Sequence, residues 1–178
     1  MRIVFLSITA AVCFLAVTVF RLSADSSNGA DSAAVSYEVF ACPYFVKNTV
    51  SPPEGKDNLV LRIDSREKFN QTFGIGMVMG RRPKMLDEDY FKTHEIGVLI
   101  IWGDTPWEYT VSSAERSENN LVVRVVKAGT PNPAARFASP LILGVGRDEL
   151  AGVETIRFVV TESGDAGEGS ASVFTVER

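Results

Sequence analysis

The stretch that most constrains the fold runs from Glu95 to Val111, EIGVLIIWGDTPWEYTV. Between Ile96 and Trp102 both alternating sets are apolar: Ile96, Val98, Ile100 and Trp102 in one, Leu99 and Ile101 with Gly97 in the other. Successive side chains of a strand point to opposite faces, so this run predicts a strand covered on both sides. Gly103-Asp104-Thr105-Pro106 has the residue types of a tight bend. Beyond it Trp107, Tyr109 and Val111 alternate with Glu108, Thr110 and Ser112, the pattern of a strand with one wet face.

Around this stretch the chain reads as a series of short strands and one helix. Val35, Tyr37 and Val39 alternate in an edge strand that ends near Cys42-Pro43. Asn58 to Ile63 (NLVLRI) is a strand. Asp64 to Gly74 carries a helix signature: Asp64 as cap, Glu67 three residues on, Phe69 and Phe73 spaced i,i+4 as its anchor, and Gly74 as its stop. Leu86 to Phe91 can form one helical turn. Leu121 to Lys127 (LVVRVVK) is a β-branched strand, and Trp107 to Ala114 with Leu121 to Ala128 form a hairpin across the polar turn Glu115 to Asn120. Arg136 to Gly146 is the next strand, with Pro140 marking an edge or a bulge, and Glu154 to Thr161 and Ala171 to Glu177 follow it.

These elements predict a β-rich α+β domain with a mostly antiparallel curled sheet, or a small sandwich or barrel, and one short packed helix. Its core is expected to include Leu59, Leu61, Phe69, Phe73, Val98, Ile100, Val123, Val125, Leu141, Leu143, Ile156 and Phe158. The domain is placed at residues 35–178, with residues 162–170 as a flexible glycine-rich loop.

Ahead of it, residues 1–24 have the layout of a signal peptide. Arg2 precedes the uncharged apolar run Ile3 to Phe20, and Leu22-Ser23-Ala24 ends on a small residue. The run is also close to the length of a bilayer span, so an uncleaved N-terminal anchor is the alternative. Residues 25–34 are small and polar and read as a flexible tether. Either way the domain is expected to be exported: periplasmic or extracellular, or held at the membrane through residues 1–24.

Composition narrows function by exclusion. Of 18 basic residues two lie in the leader, so the remainder carries 16 against 22 acidic ones, a net charge of −6. A phosphate-binding partner wants a basic surface, so nucleic acid is not expected. Gly74, Gly76 and Gly80 do not have the spacing of a dinucleotide fingerprint or a P-loop, and no cofactor is expected. His94 is the single histidine and reads as a capping or surface residue. It has no partners at metal-ligand spacing and no recognisable nucleophile. Cys42, alone after the leader, reads as a small buried hydrophobe. No catalytic or metal-binding residue is nominated. The candidate binding residues are Asp104, Thr105, Trp107 and Tyr109, because tryptophan and tyrosine beside a turn are favoured interface anchors.

From Asn58 to Val160 the order of features resembles the C-terminal domain of PrcB-like proteins, accessory exported proteins or lipoproteins named after a subunit of a bacterial protease complex. The resemblance rests on Ile63, Glu67, Phe69 and Phe73 in the strand and helix, and on Asp89-Tyr90-Phe91 before the central strand. It continues through Val98 to Gly103, Tyr109-Thr110-Val111, Leu121 to Val126, Ser139-Pro140-Leu141-Ile142 and Val153 to Val160. That family has a Thr-Gly-Gly-Tyr bend, whereas this chain has Thr105-Pro106-Trp107-Glu108-Tyr109. The resemblance implies an exported β-rich accessory domain and not a reaction, and together with the leader, the tether and the aromatic bend it leads to a non-enzymatic module that contacts an envelope protease or another protein. The alternatives are a protease inhibitor using the Gly103–Trp107 bend and a small-molecule-binding or structural envelope protein.

Overall fold

The computed structural model describes residues 32–40, 44–76, 86–163 and 171–178. Residues 1–31, which hold the expected signal peptide and most of the expected tether, Cys42, the 77–85 stretch and most of the 162–170 loop lie outside them. The fold is β-rich, with two larger sheets that do not close into a barrel. One has five strands in the order β1 (Ser32–Ala34), β7 (Glu108–Ser117), β8 (Asn120–Ala128), β10 (Thr155–Glu162), β11 (Ser172–Glu177). The other has four, in the order β2 (Tyr37–Val39), β9 (Phe137–Gly146), β6 (His94–Gly103), β4 (Asn58–Ile63). A two-stranded sheet, β3 (Tyr44–Val46) with β5 (Phe73–Ile75), and two helices, α1 (Arg66–Thr72) and α2 (Glu88–Thr93), complete the described fold. Among the described strands, β8 with β10 is the one parallel pair.

β6 is the central strand that its apolar faces predict. It lies between β4 and β9, and Ile96, Val98, Leu99 and Ile100 are each fully buried. Leu99 and Ile101 face the five-stranded sheet and join Leu141, Leu143, Val123, Val125, Ile156 and Phe158 in a core between the two sheets. Ile96, Val98 and Ile100 face the other way, into a second cluster with Tyr44, Phe69, Phe73 and Phe91 from the helices and the small sheet. Of the expected core residues, Leu59 and Leu61 are only partly buried, because β4 is the last strand of its sheet.

Local readings shift in four places. The N-cap of α1 is Ser65, whose side chain accepts from the Lys68 backbone N–H, while Asp64 pairs with Lys68 at 2.9 Å. The helix stops at Phe73, which turns extended, and Gly74 lies inside β5. The β7–β8 turn is tighter than the polar run implied, because Ser117 already pairs with Asn120 and Glu118 adopts a φ of 52°. The edge strand read from Val35 is shorter, β2 at Tyr37–Val39, and the end of the expected tether forms a further strand, β1 at Ser32–Ala34. β1 pairs with β7, the chain crosses at Val35, and β2 pairs with β9, so this segment joins the edges of both sheets.

Pro140 sits where a missing donor does no harm. The carbonyl of Ile142 accepts from Phe40 N–H, so even-numbered residues of β9 direct their backbone groups away from β6. Pro140 is even-numbered, so its nitrogen points away from β6 and the β6–β9 ladder loses no donor.

Candidate functional site

β6 belongs to one sheet and β7 to the other, so the bend Asp104–Trp107 is the crossover between them at one corner of the molecule. The packing there leaves little freedom. Asp104 is exposed, but its carbonyl accepts from the Asn132 N–H at 2.7 Å. Thr105 is 4% exposed, and its hydroxyl donates to Asp104 Oδ1 at 3.0 Å. The bend lies flat on the loop after β8. A Cβ on Gly129 would stand 2.7 Å from Thr105 Cγ2 and 2.9 Å from the Pro106 carbonyl oxygen, so a side chain there would push the two loops apart.

Ser139 ties the corner to β9. Its hydroxyl accepts from the Trp107 N–H at 2.9 Å, and its carbonyl accepts from the Tyr109 hydroxyl at 3.1 Å. Burial pushes the Tyr109 phenol far above its ordinary value, so it is a neutral donor with a fixed acceptor. Trp107 is half-buried, with the Lys127 ammonium 3.8 Å from its ring centroid. Lys127 also pairs with Glu162 at 3.2 Å.

The four residues nominated from sequence therefore meet at one corner, in two roles. Thr105 and Tyr109 hold the corner together. Asp104 and the outer part of Trp107 reach solvent. Beside them runs a groove of about 450 Å³, walled by Trp107 and Tyr109 on β7, Pro140 on β9, and Val39, Phe40 and Tyr44. Val39 is 43% exposed at its rim. Nothing in the local sequence places Val39, Phe40 or Tyr44 beside Trp107, because only the sheet order brings β2 and β7 to the same edge. Pro140 was the available sign, since it marks a strand edge.

A second polar cluster also escaped the sequence reading. Glu95 is 6% exposed at the start of β6 and takes Arg62 at 2.6 Å on one oxygen and Arg147 at 3.0 Å on the other. Arg62 also donates to the Val153 carbonyl, and Arg147 to those of Phe91 and Asp64. The cluster stitches β4, β6, the end of α2 and the approach to β10. Its donors point at protein carbonyls, which is a structural arrangement. The sequence sign was a lone arginine in an apolar strand, NLVLRI.

His94 is the C-cap of α2, with its ring stacked on Tyr90 at 4.4 Å and its Nδ1 2.8 Å from the Thr93 hydroxyl. Among the described residues no group of three or more His, Cys, Asp or Glu is placed to hold a metal ion. Set beside known proteins, the chain matches no family model, and no curated protein or solved structure proves similar to it.

Proposed function

We propose that this chain is an exported, non-enzymatic accessory domain that holds a protein partner at the cell envelope. The observation that carries the reading is the groove beside the β6–β7 corner. It is a fixed concave surface with aromatic walls and an exposed valine at its rim. Anchors already held by Ser139 and Gly129 lose little freedom on binding, which favours recognition of a partner's apolar side chain. The signal-like leader and the resemblance to PrcB-like accessory proteins support the same reading.

The inhibitor alternative needs a loop that projects into a protease cleft. The Gly103–Trp107 bend lies against its neighbours, with Thr105 buried, so the geometry favours the groove over the bend as the contact surface. The test is a capture experiment from native envelope extract, with residues 25–178 as bait and Val39→Asp as the control bait. A protein retained in stoichiometric amount by the wild type and lost with Val39→Asp is the expected result. Equal retention by both baits removes the groove from the argument, and inhibition of a purified protease by the wild type would move the reading to the bend.

A further inference from the structure

The groove beside the β6–β7 corner has walls that discriminate between kinds of occupant. On the side of β9 that faces away from β6, the Ile142 carbonyl accepts from the Phe40 N–H, and the next residue directed that way is Pro140. Pro140 has no N–H, so β9 stops offering a complete ladder close to where β2 ends at Val39. A partner strand added along this edge would leave one of its own carbonyls without a donor there, and a buried carbonyl without a donor bears its full desolvation cost.

The other walls offer ring faces and one donor. The Tyr109 hydroxyl is bound to the Ser139 carbonyl, and the Tyr44 hydroxyl accepts from the Leu86 N–H. Trp107 differs. The Lys127 ammonium covers one face of its ring, and the Cε3 edge faces Gly129, where an added Cβ would stand 3.1 Å away. The Nε1 edge therefore turns away from that loop. Among the described residues no partner reaches the Nε1–H, and it is not sealed from solvent. Glu108 is the one charged residue among the described lining residues. It is exposed, and among the described residues its carboxylate has no ion pair, whereas Lys127 nearby is paired with Glu162 at 3.2 Å.

We infer that the occupant is an extended, proline-rich segment of a protein partner, with a basic side chain beside its prolines. The inference rests on the groove being the partner's site, as proposed above. A polyproline II segment has no internal hydrogen bonds and asks for no ladder from β9. Its prolines carry no N–H to be left unpaired, and aromatic-lined grooves are the surfaces that take such segments. The Trp107 Nε1–H donates to one of its carbonyls, and the Glu108 carboxylate pairs with the basic side chain. Such a segment is extended before it binds, so it loses little freedom on a fixed surface. An amphipathic helix would fill the groove with apolar side chains too, but its carbonyls are held within its own turns and would leave the indole N–H without an acceptor.

The test selects a displayed library of random short peptides on the full chain in detergent micelles, after sequences that bind empty micelles have been removed. The wild type is expected to enrich closely spaced prolines with an arginine or lysine beside them. Glu108→Lys, a change at an exposed position, should enrich prolines with an acidic neighbour instead. A synthetic peptide of the sequence enriched by the wild type should bind about threefold to tenfold more weakly to Trp107→Phe, which keeps a ring and removes the donor, when both are measured by calorimetry. Enrichment of apolar sequences without proline, or of no sequence, overturns the inference. So does a basic preference that Glu108→Lys leaves unchanged. The capture experiment separates this failure from failure of the site itself. A partner lost with Val39→Asp, beside a library without proline, keeps the groove and discards this occupant, whereas equal retention by both baits discards the two together.

Discussion

The two sides of β6 are buried in different ways. Toward the five-stranded sheet, aliphatic side chains from regular strands interdigitate around one fully buried ring, Phe158, with Tyr37, Trp107, Tyr109 and Phe174 at the margin. On the other side Phe69, Phe73, Phe91 and Tyr44 converge from two short helices and a two-stranded sheet, with Tyr44–Phe69 and Phe69–Phe73 centroids 5.0 and 4.9 Å apart. A helix of six or seven residues is not stable alone, so these elements persist because their rings are seated on β6. The sandwich core is thus built from elements that support one another through backbone ladders, and the aromatic cluster from elements that depend on the sheet. The lesson is that one strand can carry two cores of different construction, one on each face.

The largest effect that would break or sharpen this contrast is truncation of one ring on each side. Phe158→Ala and Phe69→Ala should each cost about 3–5 kcal/mol in urea unfolding. Their hydrogen-exchange patterns should differ. Phe158→Ala should lower protection throughout both sheets, and Phe69→Ala chiefly in α1, α2 and β3–β5. Uniform loss with Phe69→Ala would show that the two clusters form a single cooperative unit.

Next comes Glu95, whose carboxylate lies between the sheets at the sandwich end. Glu95→Gln leaves the Arg62 side chain, 8% exposed, without its counter-charge and should cost about 3 kcal/mol. Adding Arg62→Met should recover much of that loss in a double-mutant cycle, and failure to recover it would mean that the Val153 contact dominates.

A smaller effect is expected on the aromatic side at Gly144, where an added Cβ would run into the Tyr90 hydroxyl and stand 2.8 Å from the Phe40 ring. Gly144→Ala should cost on the order of 2 kcal/mol and disturb α2 before the five-stranded sheet, as side-chain NMR shifts would report. Least is expected from Asp64, beside the α1 cap. The Lys68 ammonium bonded to it holds its carboxyl below the usual value. A group with a depressed folded pKa stabilises at neutral pH, and that contribution is lost as pH falls through the folded pKa. Its side chain is 47% exposed and solvent screens the pair. Asp64→Asn should therefore flatten the acid limb of the stability profile slightly, in unfolding followed against pH, and leave its alkaline limb unchanged.

Much of the architecture is set by local pattern. The double apolar alternation of Ile96 to Trp102 determines a strand buried on both faces. LVVRVVK and its neighbour determine a hairpin, and Phe69 determines which side of α1 is buried. These readings hold because period and side-chain direction are properties of the backbone itself. The sequence also put the candidate residues at a bend. It did not say that the bend joins two sheets, that Thr105 and Tyr109 are absorbed by it, or that Val39 and Phe40 form the opposite wall. Nor did it show that Glu95 gathers two arginines, one from β4 and one from the loop after β9. Those facts depend on sheet order, and sheet order joins segments far apart in the chain through hydrogen bonds that any residue can make. Local periodicity carries no label for which strand will be its neighbour, so the groove and the corner exist only once the sheets have assembled.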